Sequence, residues 1–373
     1  MAVKIKINIT TKQIAMIAIF SAVYTVLRLL QTIPMIGVEG GRFSASDVVA
    51  PIYGITLGPY LGGASVILGS FLAIAMGRPV TFLFLDFLPA LVNAVALGFL
   101  VRRKWLPVVI LYAALLVGFF VNPLTTFFIN VGGVDIPFAW LHIVVFIVLI
   151  SPLGYKAGKW VMDIPEEGLK KETAAYLFTI TAGFIGVIIG AFLIVITYLL
   201  PSLLGLPIIW MGIGFINIIC GLVLIFASTQ VNANPEDHKK WGVVITVFSV
   251  IGLGTILGVV GGIFAFKYKP QNIPDIKARI IKSSKFISAF ITLAVIGTMM
   301  QHLMGNILTE VVMGQIVGSM QPVAFVGMWN AVFFVYPWER LILVLLTVII
   351  GVPLVRVLFK TSFFRSTELK KDK

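Results

Sequence analysis

Cysteine is almost missing from this chain: Cys220 is the one thiol in 373 residues. A disulfide framework and a thiolate metal cluster are both excluded. Histidine is nearly as scarce, at three residues, and acidic side chains number only 15. A zinc site recruits several His or carboxylate ligands, so no metal is expected. Catalytic signatures are missing too. There is no GxxxxGK[ST] loop, HExxH or GxSxG, and Gly158-Lys159-Trp160 has neither the spacing nor the hydroxyl of a phosphate-binding loop. The chain therefore reads as a non-enzyme without a cofactor. If it moves a solute uphill, the energy comes from another subunit or from an ion. Alternating segments of about ten residues are lacking, which excludes an outer-membrane barrel.

What is there is apolar. The chain is 59% hydrophobic and 12% charged, with a mean hydropathy of +1.07. About 20 apolar residues cross a bilayer's hydrocarbon core. Spans are predicted near 11–31, 44–59, 61–77, 80–101, 105–129, 138–161, 174–200, 204–228, 241–266, 284–310 and 334–360. The expected fold is an all-α polytopic membrane protein with about 10–12 transmembrane helices.

Lys4, Lys6 and Lys12 open the first segment, which is too long for a signal peptide and lacks a small-residue cleavage site, so it is expected to be retained. The net charge of +13 resides in loops such as Arg102-Arg103-Lys104, Lys170-Lys171 and Lys239-Lys240. That is the positive-inside pattern, which points to the bilayer and not to nucleic acid as the partner. It predicts a multi-pass cell-membrane protein with a cytoplasmic N-terminus. Arg42 and Arg78 then lie outside and the Gly58-Pro59 corner inside. Beyond residue 165, five spans cannot leave both the Lys267–Lys285 loop and the Lys370–Lys373 tail cytoplasmic, so the count there stays open. Pro137 and Pro152 bracket one helix much as Pro337 and Pro353 bracket another, a hint of internal duplication.

An ionisable or polar group inside apolar sequence is expensive and marks a pathway or a binding site by default. Asp86 and Asn93 stand in such sequence after the Gly58-Pro59 corner. On the predicted topology Arg42 opens the second span from outside, Asn122 ends the fifth, and His142 starts the sixth. His302, Asn306 and Glu310 recur at helical spacing, as a hydrogen-bonding stripe would, and Trp338 and Glu339 begin the last span. These ten residues are the candidate substrate-binding set. Walled by Phe, Leu and Trp, they suit a preformed small-molecule pocket open to the outside. Arg42, Arg78, Trp338 and Arg340 equally suit anchoring at the headgroup level.

Small residues mark a second surface. Ala15, Ala18 and Ala22 share a face of the first span, and Gly54, Gly58 and Gly62 do the same at the hairpin. Such faces let helix backbones approach closely. Gly186-Gly190 and Gly254-Gly258-Gly262 repeat the pattern, for which internal packing is the expectation.

With the Glu39-Gly-Gly-Arg42 loop, the Gly54-x-x-x-Gly58-Pro59-x-x-Gly62 hairpin, Asp86-Phe-x-Pro89 and six spans, residues 1–165 resemble the S component, the substrate-binding subunit of energy-coupling factor (ECF) vitamin transporters. The chain is larger than such a component. Residues 166–373 hold additional spans, either a second degenerate unit or an insertion, and 284–360 resembles the last two S-component helices. The resemblance implies a membrane-embedded binder of a small vitamin or cofactor precursor, without catalytic activity. It would dock through Ala15, Ala18 and Ala22 on a transmembrane coupling protein driven by two ABC-type ATPase subunits. The alternative is a self-sufficient, ion-coupled secondary transporter.

Overall fold

The computed structural model describes residues 10–36, 41–131, 133–163, 171–199, 209–233, 237–252, 256–267 and 276–360. Glu39, Gly254, residues 268–275 of the Lys267–Lys285 segment and the basic C-terminal tail lie outside the described residues. Twelve helices and two small two-stranded sheets make up the described chain. Five helices are long and apolar enough to cross a membrane, and one bent pair makes a sixth. The molecule is an all-α polytopic membrane protein.

Its residues cluster into two units. One comprises 1–129, 136–164 and 285–373; the other comprises 130–135 and 165–284. The last two helices thus fold with the N-terminal half of the chain.

In the first unit, α1 (Thr11–Leu29) starts with a capping box: the Thr10 hydroxyl accepts from the Gln13 amide while the Gln13 side chain accepts from the Thr10 amide. Its inner face buries Met16, Ser21, Tyr24, Thr25 and Arg28. The opposite face, with Ala15, Ala18 and Ala22, is exposed. Strands β1 (Gln31–Pro34) and β2 (Arg42–Ser44) pair antiparallel and lead into α2 (Ser46–Ala75).

Helix α2 is two helices meeting at Gly58, whose φ of +78° and ψ of −177° are open only to glycine. Pro59 restarts the helix without needing an amide partner. The two halves fold back on one another as the predicted hairpin, and a Cβ on Gly62 would meet the Tyr53 carbonyl at 2.8 Å. α3 (Leu88–Val101) rests on this corner: a Cβ on Gly54 would strike the Ala94 carbonyl, and one on Gly98 would strike the Gly58–Pro59 backbone. The guanidinium of Arg102 covers the corner from the other side, 3.5 Å from the Leu57 carbonyl. Thus the small-residue face at the hairpin is used internally.

α4 (Trp105–Val121) is followed by β3 (Phe128–Val131), β4 (Val134–Pro137), α5 (Trp140–Ile150) and α6 (Pro152–Met162). The predicted span 138–161 is bent by 68° at Ser151, where Pro152 opens the second piece. α11 (Ile276–Leu308) runs on into a π-helical segment, Thr309–Ile316, and α12 (Pro322–Lys360) closes the unit. The Thr347 hydroxyl donates to the Val48 carbonyl at 3.1 Å, and Gly351 lies against Ile52 and Phe290, so α12 packs between α2 and α11. Pro337 and Pro353 both sit inside α12, whereas Pro137 ends a strand and Pro152 starts a helix. The two proline pairs therefore occupy unlike structures.

The second unit holds α7 (Lys171–Leu199), α8 (Ile209–Ala233), α9 (His238–Ile251) and α10 (Ile256–Phe266). Gly183 and Gly221 face each other across α7 and α8, as do Gly190 and Gly214 two turns away. Gly258 and Gly262 lie against Ser249 and Thr246 of α9. Absent side chains bring these backbones together, and Ala175, Ala182, Leu224, Ala227 and Ile245 fill the core between them.

Candidate substrate site

A cavity of about 520 Å³ opens at the end of the first unit where α1 stops and α2 starts. Its size suits a small organic molecule. The β1–β2 ribbon, the loop between α2 and α3, the C-terminal part of α11 and the N-terminal half of α12 wall it. Of the sequence-derived candidates, Arg42, Asp86, His302, Asn306, Trp338 and Glu339 line it.

Asp86 does not lie on a helix, because α3 starts only at Leu88. Its carboxylate Oδ1 accepts from the Thr81 amide at 3.0 Å and Oδ2 from the Phe82 amide at 3.1 Å. Arg28 donates to its carbonyl at 2.7 Å. Arg78 reaches back to the carbonyls of Arg28 and, at 2.9 Å, Arg42. Partial burial, and then the neighbouring Arg28 guanidinium, push the Arg78 pKa below its ordinary value. Leu83 and Phe84 in this loop take left-handed conformations, with φ of +49° and +68°. Such backbone persists only where surrounding contacts over-determine it. The Asp86 carboxylate is one of those contacts.

Replacing Asp86 by asparagine sets an NH₂ against one of the two amides. The expected cost is about 1–3 kcal/mol of loop order. Faster protease cleavage within 76–87 in Asp86→Asn, with unchanged thermal unfolding of the helices, is the expected result. An unchanged cleavage rate would remove the anchoring role.

A buried polar chain backs the cavity. Asn93 Nδ2 donates to Gln301 Oε1 at 2.8 Å, and Gln301 Nε2 donates to Asp47 Oδ1 at 2.8 Å. Asp47 Oδ2 accepts from the Ser44 amide at 3.0 Å. Asn93 is fully buried behind Gln301, one layer from the cavity.

His142 is likewise one layer back. Its Nε2 lies 3.1 Å from His302 Nδ1, and the Tyr336 ring stacks on His302 at 4.9 Å. His142 Nδ1 is buried without a partner. With both rings neutral, an unfilled acceptor there costs less than an orphaned N–H, so His142 Nε2–H is assigned as the donor. His302 then carries its proton on Nε2. Tyr112 and Tyr336 fix the surroundings through the carbonyls of His142 and Phe138.

Glu310 and Asn122 belong to a separate cluster. Both Glu310 carboxylate oxygens lie 3.0 Å from the Thr125 hydroxyl, and Asn122 Oδ1 accepts from the Leu124 amide and Gln315 Nε2. The α-helix has already turned away from a straight stripe by Leu308, and Glu310 stands in the π-helical segment beyond it, so it leaves the face that His302 starts. Gln301, Tyr336, Arg28 and Arg340 are among the further cavity residues absent from the candidate set drawn from the sequence. Gln301 and Tyr336 carry no charge to draw attention. The two arginines stand at span ends, where anchoring competes with binding.

The described residues hold no group of three His, Cys, Asp or Glu side chains able to bind a metal ion. Residues 12–177 match the family model described as "ECF transporter, substrate-specific component". No curated protein and no solved structure matches the chain.

Proposed function

We propose, from the match of residues 12–177 to the ECF-transporter substrate-specific component family, that this chain captures a small vitamin or cofactor precursor for uptake. A separate transmembrane coupling protein and ABC-type ATPase subunits would supply the energy. The cavity carries the reading: about 520 Å³, ringed by charged and aromatic side chains from five segments of one unit. A site of that shape suits capture of one small molecule.

Helices 285–360 contribute His302, Asn306, Trp338 and Glu339 to the same cavity wall as Arg42 and Asp86. We therefore read residues 165–284 as an insertion within the substrate-binding unit. The exposed Ala15, Ala18 and Ala22 face of α1 is the surface offered to the coupling protein. On the positive-inside rule the cavity opens outward and the Gly58 corner faces the cytoplasm.

The test is gentle detergent extraction of the tagged chain from its native host, with mass spectrometry of co-purified proteins and metabolites. A coupling protein, two ATPases and one retained metabolite are expected. A solitary chain that drives uptake into liposomes under an ion gradient would refute the proposal.

A further inference from the structure

The cavity leaves more buried donors unmatched than acceptors, Glu339 Oε1 being the one carboxylate oxygen there that is buried without a hydrogen bond among the described residues. Four arginines (Arg28, Arg42, Arg78 and Arg340) face three acids (Asp47, Asp86 and Glu339). Both oxygens of Asp47 and both of Asp86 already accept hydrogen bonds from protein groups. Gln301 Oε1 is occupied by Asn93.

The donors are not so matched. Arg340 is 3% exposed, yet its Nε and Nη2 make no hydrogen bond among the described residues. Its contacts are the Phe43 ring, 5.2 Å from the guanidinium carbon, and an ion pair with Glu339 Oε1 at 3.0 Å that lacks hydrogen-bond alignment. Arg28 is 5% exposed and its Nε has no acceptor. Asn306 Nδ2, also buried, has none either. His302 adds an Nε2–H by the tautomer assigned above.

Leaving a buried guanidinium without an acceptor is costly, because the lost hydration is not replaced. Three side chains from α1 and the α11–α12 pair share this deficit around one cavity. We infer that the ligand carries an anionic group, a carboxylate or a phosphate ester, that seats on Arg340 and Arg28, with Asn306 and His302 donating beside it. A guanidinium fork matches both anions in geometry. The apolar remainder of the ligand lies against Tyr336 and Trp338.

This inference rests on the substrate-binding reading, and the experiment separates the two. The purified full-length chain is incubated with an aqueous metabolite extract of its host, washed, and the retained compounds are identified by mass spectrometry. A parallel extract is treated with phosphatase. Enrichment of a carboxylate or phosphate compound is expected, and only a phosphate ester disappears after phosphatase. Arg340→Gln and Arg28→Gln, each shown to be folded by gel filtration, should bind that compound about 100-fold more weakly. Arg340→Lys should recover part of the loss. An enriched compound that is neutral or cationic would overturn the anionic assignment and leave the binding subunit standing. An anion held equally well by both Gln variants would overturn it too. If the folded wild-type chain enriches nothing, both readings fall.

Discussion

Tryptophan at both Ala18 and Ala22 should cut cellular uptake by roughly 100-fold or more, the equivalent of about 3 kcal/mol at a docking surface. Ligand binding to the isolated protein should be unchanged. The expectation follows from how α1 divides its surface. Tyr24, Thr25 and Arg28 point inward, where the Thr25 hydroxyl donates to the Gly69 carbonyl at 3.1 Å and the Tyr53 hydroxyl holds the Phe20 carbonyl at 2.9 Å. Ala15, Ala18 and Ala22 point outward, among exposed Ile14, Ile19, Val23 and Val26. An outward tryptophan meets only lipid in the isolated chain, so neither fold nor cavity is disturbed. A partner helix packed on small residues, however, is held off by several ångströms. Uptake assays with the coupling subunits, alongside binding measured on the purified variant, separate the effects. Normal uptake by the double variant would exclude this face as the docking surface.

The second large effect concerns Gln301. Changing it to leucine should lower stability by about 3–5 kcal/mol, since two buried partners lose their hydrogen bond together. Asp47 loses the donor to Oδ1, and Asn93 loses the acceptor for Nδ2. Asn93 is fully buried and its Oδ1 already lacks a protein partner among the described residues. The pair Asn93→Leu with Gln301→Leu should cost less than the sum of the single changes. The second substitution removes a group the first had already orphaned. Thermal or denaturant unfolding in detergent provides the three values. Strict additivity would mean that the 2.8 Å contact between them contributes nothing. Because Gln301 and Asp47 also line the cavity, the single variant should bind ligand more weakly as well.

The class of the protein and most helix positions are written in its amino-acid order. Long apolar stretches with few charges inside them leave a chain no soluble fold, since each backbone polar group in lipid must be bonded within its own helix. The corner at Gly58-Pro59 was legible because one residue type permits the backbone and the next cannot continue the helix. Arg42, Asp86, His302, Asn306, Trp338 and Glu339, which line the cavity, stand out in the sequence because charge or polarity in apolar sequence is conspicuous.

What each of these residues does emerges only from the packed helices and loops. Asp86 read as a ligand-binding carboxylate, yet its oxygens are taken by the Thr81 and Phe82 amides, a loop geometry no spacing rule reveals. Glu310 left the His302 stripe through helical rotation and joined Thr125. Asn93 and Gln301, 208 positions apart, meet only because residues 285–360 fold with the N-terminal half of the chain. Contacts across so long a separation depend on the packing of whole helices. Neither residue's local sequence encodes them.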